Sequence, residues 1–157
     1  MAGASENRVK SPTILIVDDV QQIGDLLREK LCSMGYSCYL AESAPDALTK
    51  LRERPFDVVL LDVKLPGKSG IDLLKDLKSS WPDSTVIVIS AVLDLNTVDE
   101  AIRRGACDYV IKPFNLHEIV LSVERVLDYQ HMQEVWRRTL GIRPRKRKLY
   151  HETHSSS

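Results

Sequence analysis

Ile14-Leu15-Ile16-Val17-Asp18-Asp19 decides the fold: an apolar, mostly β-branched run closed by two carboxylates. The same shape recurs along the chain. Val58-Val59-Leu60-Leu61 is followed by Asp62, Val86-Ile87-Val88-Ile89 by Ser90, and Tyr109-Val110-Ile111 by Lys112 and Pro113. No polar alternation interrupts these runs, as expected of strands buried on both faces in a parallel sheet covered by helices. A buried helical segment looks the same over so short a stretch, so the intervening sequence must decide.

Those intervening segments carry helical spacing. Val20, Ile23, Leu26, Leu27, Leu31 and Met34 form a stripe that stops at Gly35. Ser43 with Asp46 resembles a capping arrangement, Pro45 is tolerated in the first turn, and Arg54-Pro55 ends a helix whose inner face is Ala47, Leu48 and Leu51. Ile71, Leu74 and Leu77 predict a third helix closed by Trp81-Pro82. Val98, Ala101 and Ile102 predict a fourth ending at Gly105, and Leu116, Ile119, Val120, Val123, Val126 and Leu127 a fifth. The weakest strand is the second, near residues 37–41, where Tyr36, Cys38, Tyr39 and Leu40 supply the β character. Strands alternating with helices imply right-handed crossovers and an α/β, doubly wound, five-stranded parallel sheet. In such sheets ligands sit beyond the carboxyl ends of the strands, where strand order reverses. Asp18, Asp19, Asp62, Ser90 and Lys112 all fall on that side.

The chain of 157 residues suits one domain with a proper core and tails. No stretch approaches the roughly 20 apolar residues needed to cross a bilayer, and the N-terminus has no apolar signal core. Cys32, Cys38 and Cys107 are odd in number and lack metal-ligand spacing, which reads as reduced thiols in a cytoplasmic protein. The net charge of zero hides an asymmetry: residues 1–136 hold 15 Lys/Arg against 21 Asp/Glu, and residues 137–148 hold seven basic residues and no acidic one.

Two unit charges about 4 Å apart repel by roughly 4 kcal/mol at an effective dielectric near 20, so crowding Asp18, Asp19 and Asp62 raises a carboxyl pKa or recruits a cation. An all-oxygen site open to water suits Mg²⁺ better than a softer metal. Lys112 adds a fixed positive charge that no Mg²⁺ ligand set requires, which points to a further anion arriving during function. A phosphoryl group on one carboxylate would be such an anion.

At these residues the chain resembles the receiver domain of two-component response regulators. The resemblance rests on Asp18-Asp19, Asp62, Ser90-Ala91, Gly105-Ala106-Cys107-Asp108-Tyr109, Lys112-Pro113-Phe114 and the loop Leu65-Pro66-Gly67-Lys68-Ser69-Gly70, and covers residues 12–130. It implies the flavodoxin-like receiver fold, with Asp62 as phosphoacceptor rather than as part of an enzyme acting on a separate substrate. The donor would be a sensor histidine kinase or a histidine phosphotransfer protein. Asp19 would ligate Mg²⁺ directly and Asp18 mainly through water, with Asp62 and the backbone carbonyl of Lys64 completing the set. Lys112 would pair with phosphoryl oxygens, Ser90 would hydrogen-bond one of them, and Tyr109 would move inward as Ser90 is drawn to the phosphate. That motion would alter a target-binding surface on the fourth helix, fifth strand and fifth helix. The resemblance also implies a cis Lys112-Pro113 bond, and suggests that Lys64 and Val92 slow hydrolysis of the acyl phosphate.

Residues 1–11 read as a mobile, disordered lead-in. Met132, Val135, Trp136 and Leu140 extend the fifth helix over 131–142, either to pair with a partner helix, including a homodimer copy, or to fold Trp136 back on the domain. The basic, disordered tail over 143–157 is too short for a helix-turn-helix, so DNA reading is not expected, although electrostatic nucleic-acid binding stays open. His151 and His154 there lack a second ligand pair. A nucleotide or flavin domain is disfavoured, because the turn after the first strand has none of the glycines of a phosphate cradle. A receiver piece of a longer regulator remains a variant of the same reading.

Overall fold

The computed structural model describes residues 10–91 and 94–141. The expected disordered lead-in, apart from Lys10 and Ser11, and the basic tail lie outside those residues, as does Val92.

Elements alternate throughout: β1 (Thr13–Val17), α1 (Gln21–Ser33), β2 (Ser37–Ala41), α2 (Ala44–Glu53), β3 (Val58–Asp62), α3 (Gly70–Ser80), β4 (Thr85–Ser90), α4 (Leu95–Arg103), β5 (Asp108–Ile111) and α5 (Leu116–Leu140). The strands form one parallel sheet in the order β2-β1-β3-β4-β5. This is the doubly wound, flavodoxin-like fold expected, and its order reverses between β1 and β3.

Side-chain alternation within each strand feeds two cores. Ile14, Ile16, Val58, Leu60, Ile87 and Ile89 point to the face covered by α1 and α5, where they meet Leu27, Leu31, Ile119 and Val123. Leu15, Val17, Val59, Leu61, Val86 and Val88 point to the opposite face, against Leu51, Leu73, Leu77, Val98 and Ile102 of α2, α3 and α4. Burial on both faces explains the lack of polar alternation in these strands. β2 is an edge strand of mostly half-buried residues, which is why its sequence signal is weak.

The caps follow local chemistry. The Ser43 hydroxyl accepts from the Asp46 amide at 3.2 Å, and Ser69 and Asn115 do the same for Asp72 and Glu118 at the starts of α3 and α5. The α1 stripe needs correction. Val20 precedes the helix as its N-cap, Leu26 lies on the exposed side, and Met34 falls past the last turn. The buried line is Gly24, Leu27 and Leu31, at helical spacing of three and four. Cys32, Cys38 and Cys107 form no disulfide, and burial, aided by neighbouring Cys32, pushes the Cys38 thiol up to about 12.

No helix among the described residues is long and apolar enough to cross a membrane. The fifth helix runs unbroken through the expected extension and ends where Gly141 takes a left-handed conformation at φ +65°.

Candidate functional site

Three loops leave the carboxyl ends of β1, β3 and β5 and meet at the strand-order reversal. Asp18 follows β1, Asp62 ends β3, and Lys112 follows β5. Asp18 and Asp62 are buried, whereas Asp19 is exposed. The two buried carboxylates are held alike. Asp18 Oδ1 accepts from the Val20 amide at 2.9 Å, and Asp62 Oδ1 from the Lys64 amide at 3.0 Å. Their second oxygens share one cation: Lys112 Nζ donates to Asp18 Oδ2 at 2.9 Å and to Asp62 Oδ2 at 3.0 Å. One ammonium therefore serves two carboxylates.

The electrostatics follow from that ratio. Burial raises the Asp62 carboxyl above its ordinary 3.8, and Asp18 adds to the rise, outweighing the hydrogen bonds from Lys112 and Lys64. For Lys112, burial works against the charge, but the hydrogen bonds and attraction of Asp18 and Asp62 win, and its pKa lies above 10.5. The corner stays short of positive charge. Asp18, Asp19 and Asp62 each offer a carboxylate oxygen within 4.8 Å of the others, a geometry able to hold a divalent cation, and the donors are all oxygen. These residues fit Mg²⁺.

Ser90 is fully buried at the end of β4, and its carbonyl accepts from the Lys112 amide at 2.8 Å, which ties the β4 and β5 ends together. Tyr109 sits mid-strand opposite Val88 and is only 5% exposed, within the cluster that faces α2, α3 and α4. Lys64 is exposed, with its amide committed to Asp62. The Lys112-Pro113 bond is cis, as the resemblance implied.

Two supporting groups stand in motifs that carry the resemblance but have no individual role in the sequence reading. Gly70 opens α3 with its backbone pressed onto β3: its amide donates to the Val63 carbonyl at 2.7 Å, and an added Cβ would lie 2.1 Å from the Asp62 carbonyl oxygen and 2.7 Å from Val63 Cα. Both are backbone atoms, so no flexible side chain can yield. Gly70→Ala is expected to cost about 1–3 kcal/mol through overpacking and to weaken Mg²⁺ binding by shifting Asp62. Urea unfolding and a Mg²⁺ titration would check both effects, and a fully stable variant with unchanged affinity would contradict them. A glycine directly after a capping serine was the available signal. The second group is Asp108, buried at the start of β5, which accepts from Ser122 Oγ at 2.6 Å and from the Tyr109 amide at 2.8 Å. It pins α5 to the strand that carries Tyr109. Nothing in the sequence marks Ser122 as its partner, since they meet only across the α5–β5 packing.

Comparison with known proteins agrees with this geometry. Residues 14–124 match the family described as response regulator receiver domain. The regulatory protein AtoC of Escherichia coli strain K12 is 38% identical over 121 residues, covering 77% of this chain and 26% of that protein. The DNA-binding transcriptional regulator NtrC of Klebsiella pneumoniae is 38% identical over 120 residues, covering 76% and 26%. The chain thus spans about a quarter of the length of these curated relatives. Among solved structures, a CheY-like receiver domain protein from Methanospirillum hungatei JF-1 superposes with a TM-score of 0.76 at 29% identity, covering 78% of this chain and 98% of that one.

Proposed function

Because this chain belongs to the response regulator receiver family, we propose that Asp62 accepts a phosphoryl group from a phosphohistidine on a sensor histidine kinase or histidine phosphotransfer protein, and that the modified domain changes its protein contacts. The observation that carries this reading is Lys112 bridging buried Asp18 and Asp62 at the point where strand order reverses. In the step itself a carboxylate oxygen of Asp62 attacks phosphorus and an O–P bond forms. The N–P bond of the phosphohistidine breaks, and its electron pair returns to the imidazole nitrogen. Lys112 exchanges a carboxylate partner for phosphoryl oxygens, so the charge that arrives meets a fixed cation with no reorganisation of distant groups. Ser90 hydrogen-bonds another of those oxygens. Mg²⁺ held by Asp18, Asp19, Asp62 and the Lys64 carbonyl supplies neutralisation of donor and acceptor charge.

Ser90 and Lys112 are joined through the β4–β5 end, and Tyr109 and Asp108 lie on the same strand as that end. A pull on Ser90 therefore reaches the face made by α4, β5 and α5, which is the surface proposed to bind the target. Phosphorylation shifts that face only by as much as its contacts differ between the two arrangements. The domain assists its own phosphorylation and hydrolysis, in the cytoplasm where such kinases present their phosphohistidine. A second reading, in which this receiver works as one part of a longer regulator, is favoured by the share of AtoC and NtrC that it matches.

The test uses a small acyl-phosphate donor. With Mg²⁺ the protein is expected to gain one phosphoryl group, located by mass spectrometry to the peptide containing Asp62; with a chelator the gain is expected to vanish. Modification elsewhere, or at equal yield in chelator, would overturn the reading.

A further inference from the structure

The turn between α1 and β2 brings two cysteines together. α1 stops at Gly35, which takes φ +95°, with the Gly35 amide donating to the Cys32 carbonyl at 3.0 Å and the Tyr36 amide to the Leu31 carbonyl at 3.2 Å. These two bonds make a left-handed helix stop, and Tyr36 and Leu31 close it by joining the same apolar cluster. The chain reverses there. Cys38, opposite Ile14 in the register of β1 and β2, then packs on the face that α1 covers. Its side chain is hydrogen-bonded to that of Cys32 in the last turn of α1. Cys32 is exposed and Cys38 half-buried, so solvent reaches the pair from the Cys32 side.

Two sulfurs are too few for a structural metal. Among the described residues only Asp18, Asp19 and Asp62 bring three ligand-bearing side chains together, so no third donor joins the thiols. Thiols in contact have a different chemistry, oxidation to a disulfide. Cys107 does not compete for it, being buried just before β5, on the sheet edge opposite β2. The pair also lies toward the amino ends of the strands, whereas Asp18 and Asp62 stand at the carboxyl ends.

We propose that Cys32 and Cys38 are a reversible oxidation site, at which a hydroperoxide joins them in an intramolecular disulfide between α1 and β2. The thiolate sulfur of exposed Cys32 attacks one peroxide oxygen, the O–O bond breaks, and the departing hydroxide takes a proton to become water. Cys32 is then a sulfenic acid. The Cys38 sulfur attacks the Cys32 sulfur, the S–O bond breaks, and hydroxide leaves with the Cys38 proton as a second water. The two sulfurs together lose two electrons, and the peroxide oxygens gain them. The order of events follows from the surroundings. Burial, with the charge and hydrogen bond of Cys32, keeps the proton on Cys38 at neutral pH, so Cys38 does not react first. Oxidation of Cys32 removes the charge that helps hold that proton, and Arg28, one helical turn before Cys32, then favours the Cys38 thiolate. β2 is bonded to one neighbouring strand only, so the disulfide gives that edge a second tie. The site stands or falls independently of Asp62 phosphorylation.

The full chain, treated at neutral pH with a small excess of hydrogen peroxide, is expected to fall from three thiols to one, counted after denaturation. Peptide mapping without reductant should link Cys32 to Cys38 with the loss of two hydrogens, and dithiothreitol should restore both thiols. Cys38→Ser, its fold checked by circular dichroism, is expected to lose one thiol and to leave Cys32 as a sulfenic acid captured by dimedone. Cys32→Ser should keep Cys38 reduced, with thiol loss roughly tenfold slower or more. Survival of all three thiols in the wild type would overturn the proposal. So would a disulfide that involves Cys107 or joins two chains, a sulfinic acid at Cys32 beside untouched Cys38, or Cys38 oxidised at the wild-type rate in Cys32→Ser.

Discussion

In chelator at neutral pH, Asp62→Asn is expected to unfold at a higher temperature than the wild type while accepting no phosphoryl group. The loss of labelling is direct, since the amide offers no nucleophilic carboxylate oxygen. The gain in stability follows from the corner's charge balance. Burial holds the Asp62 carboxyl above its ordinary 3.8 despite its hydrogen bonds from Lys112 and Lys64. The folded state therefore binds that proton more tightly than the unfolded chain does. Stability contributed by Asp62 is present at acid pH and falls as pH rises from 3.8 through the folded value, so at neutral pH the ionised group is a net cost. Asparagine removes the charge, keeps an acceptor for the Lys64 amide, and leaves Lys112 in a one-to-one pair with Asp18. A gain of about 1 kcal/mol would raise Tm by roughly 2–4 °C. The difference should shrink toward pH 4 and reverse in sign when Mg²⁺ is added, because the wild type binds the cation with one more carboxylate. Thermal unfolding at two pH values, with and without Mg²⁺, measures all of this. Equal Tm values in chelator would mean that Asp62 is not strained by its burial.

The sheet was legible because Ile14 to Val17, Val58 to Leu61 and Val86 to Ile89 are apolar on both faces, as a doubly covered parallel sheet requires, and because helical spacing separates them. The acidic corner was legible because each polar residue stands directly after such a run, and strand ends share one edge. Edge and packing effects were less visible. Ser37 to Ala41 lacks a strong pattern since β2 is bonded on one side only. Leu26 reads as a core residue by spacing, yet the line through Gly24, Leu27 and Leu31 turns it outward. A Cβ at Gly24 would already touch Leu40 of β2 at 3.4 Å, which marks this as the side of α1 packed on the sheet. The tight seat of Gly70 on Asp62 and the Asp108–Ser122 bond depend on how helices dock, and no spacing within a segment encodes that.

Lys112→Ala should give the largest loss of stability at this site, and Mg²⁺ should restore much of it. Removing the ammonium leaves Asp18 and Asp62 facing each other in a buried corner with no counter-charge. Breaking a buried pair from one side costs about 3–5 kcal/mol, part of which the carboxyls evade by taking up a proton. The Asp62 pKa, already raised by burial, rises further in the variant, so its stability should fall with increasing pH across the acid-to-neutral range more steeply than that of the wild type. The alkaline side behaves oppositely. Lys112 titrates above 10.5 in the folded wild type, so the stability it contributes is complete below pH 10.5 and is lost as pH rises through the folded value. The gap between variant and wild type should narrow there. Mg²⁺ held by Asp18, Asp19 and Asp62 would supply the counter-charge that the variant lacks, so the variant should gain more than the wild type from the same cation concentration; at 100 times Kd the gain is about 2.7 kcal/mol. Denaturant unfolding at neutral pH, with chelator and then with Mg²⁺, separates the two terms. A variant as stable as the wild type in chelator would show that Lys112 does not offset the carboxylates. A Mg²⁺ response no larger than that of the wild type would show that the cation does not supply the missing counter-charge.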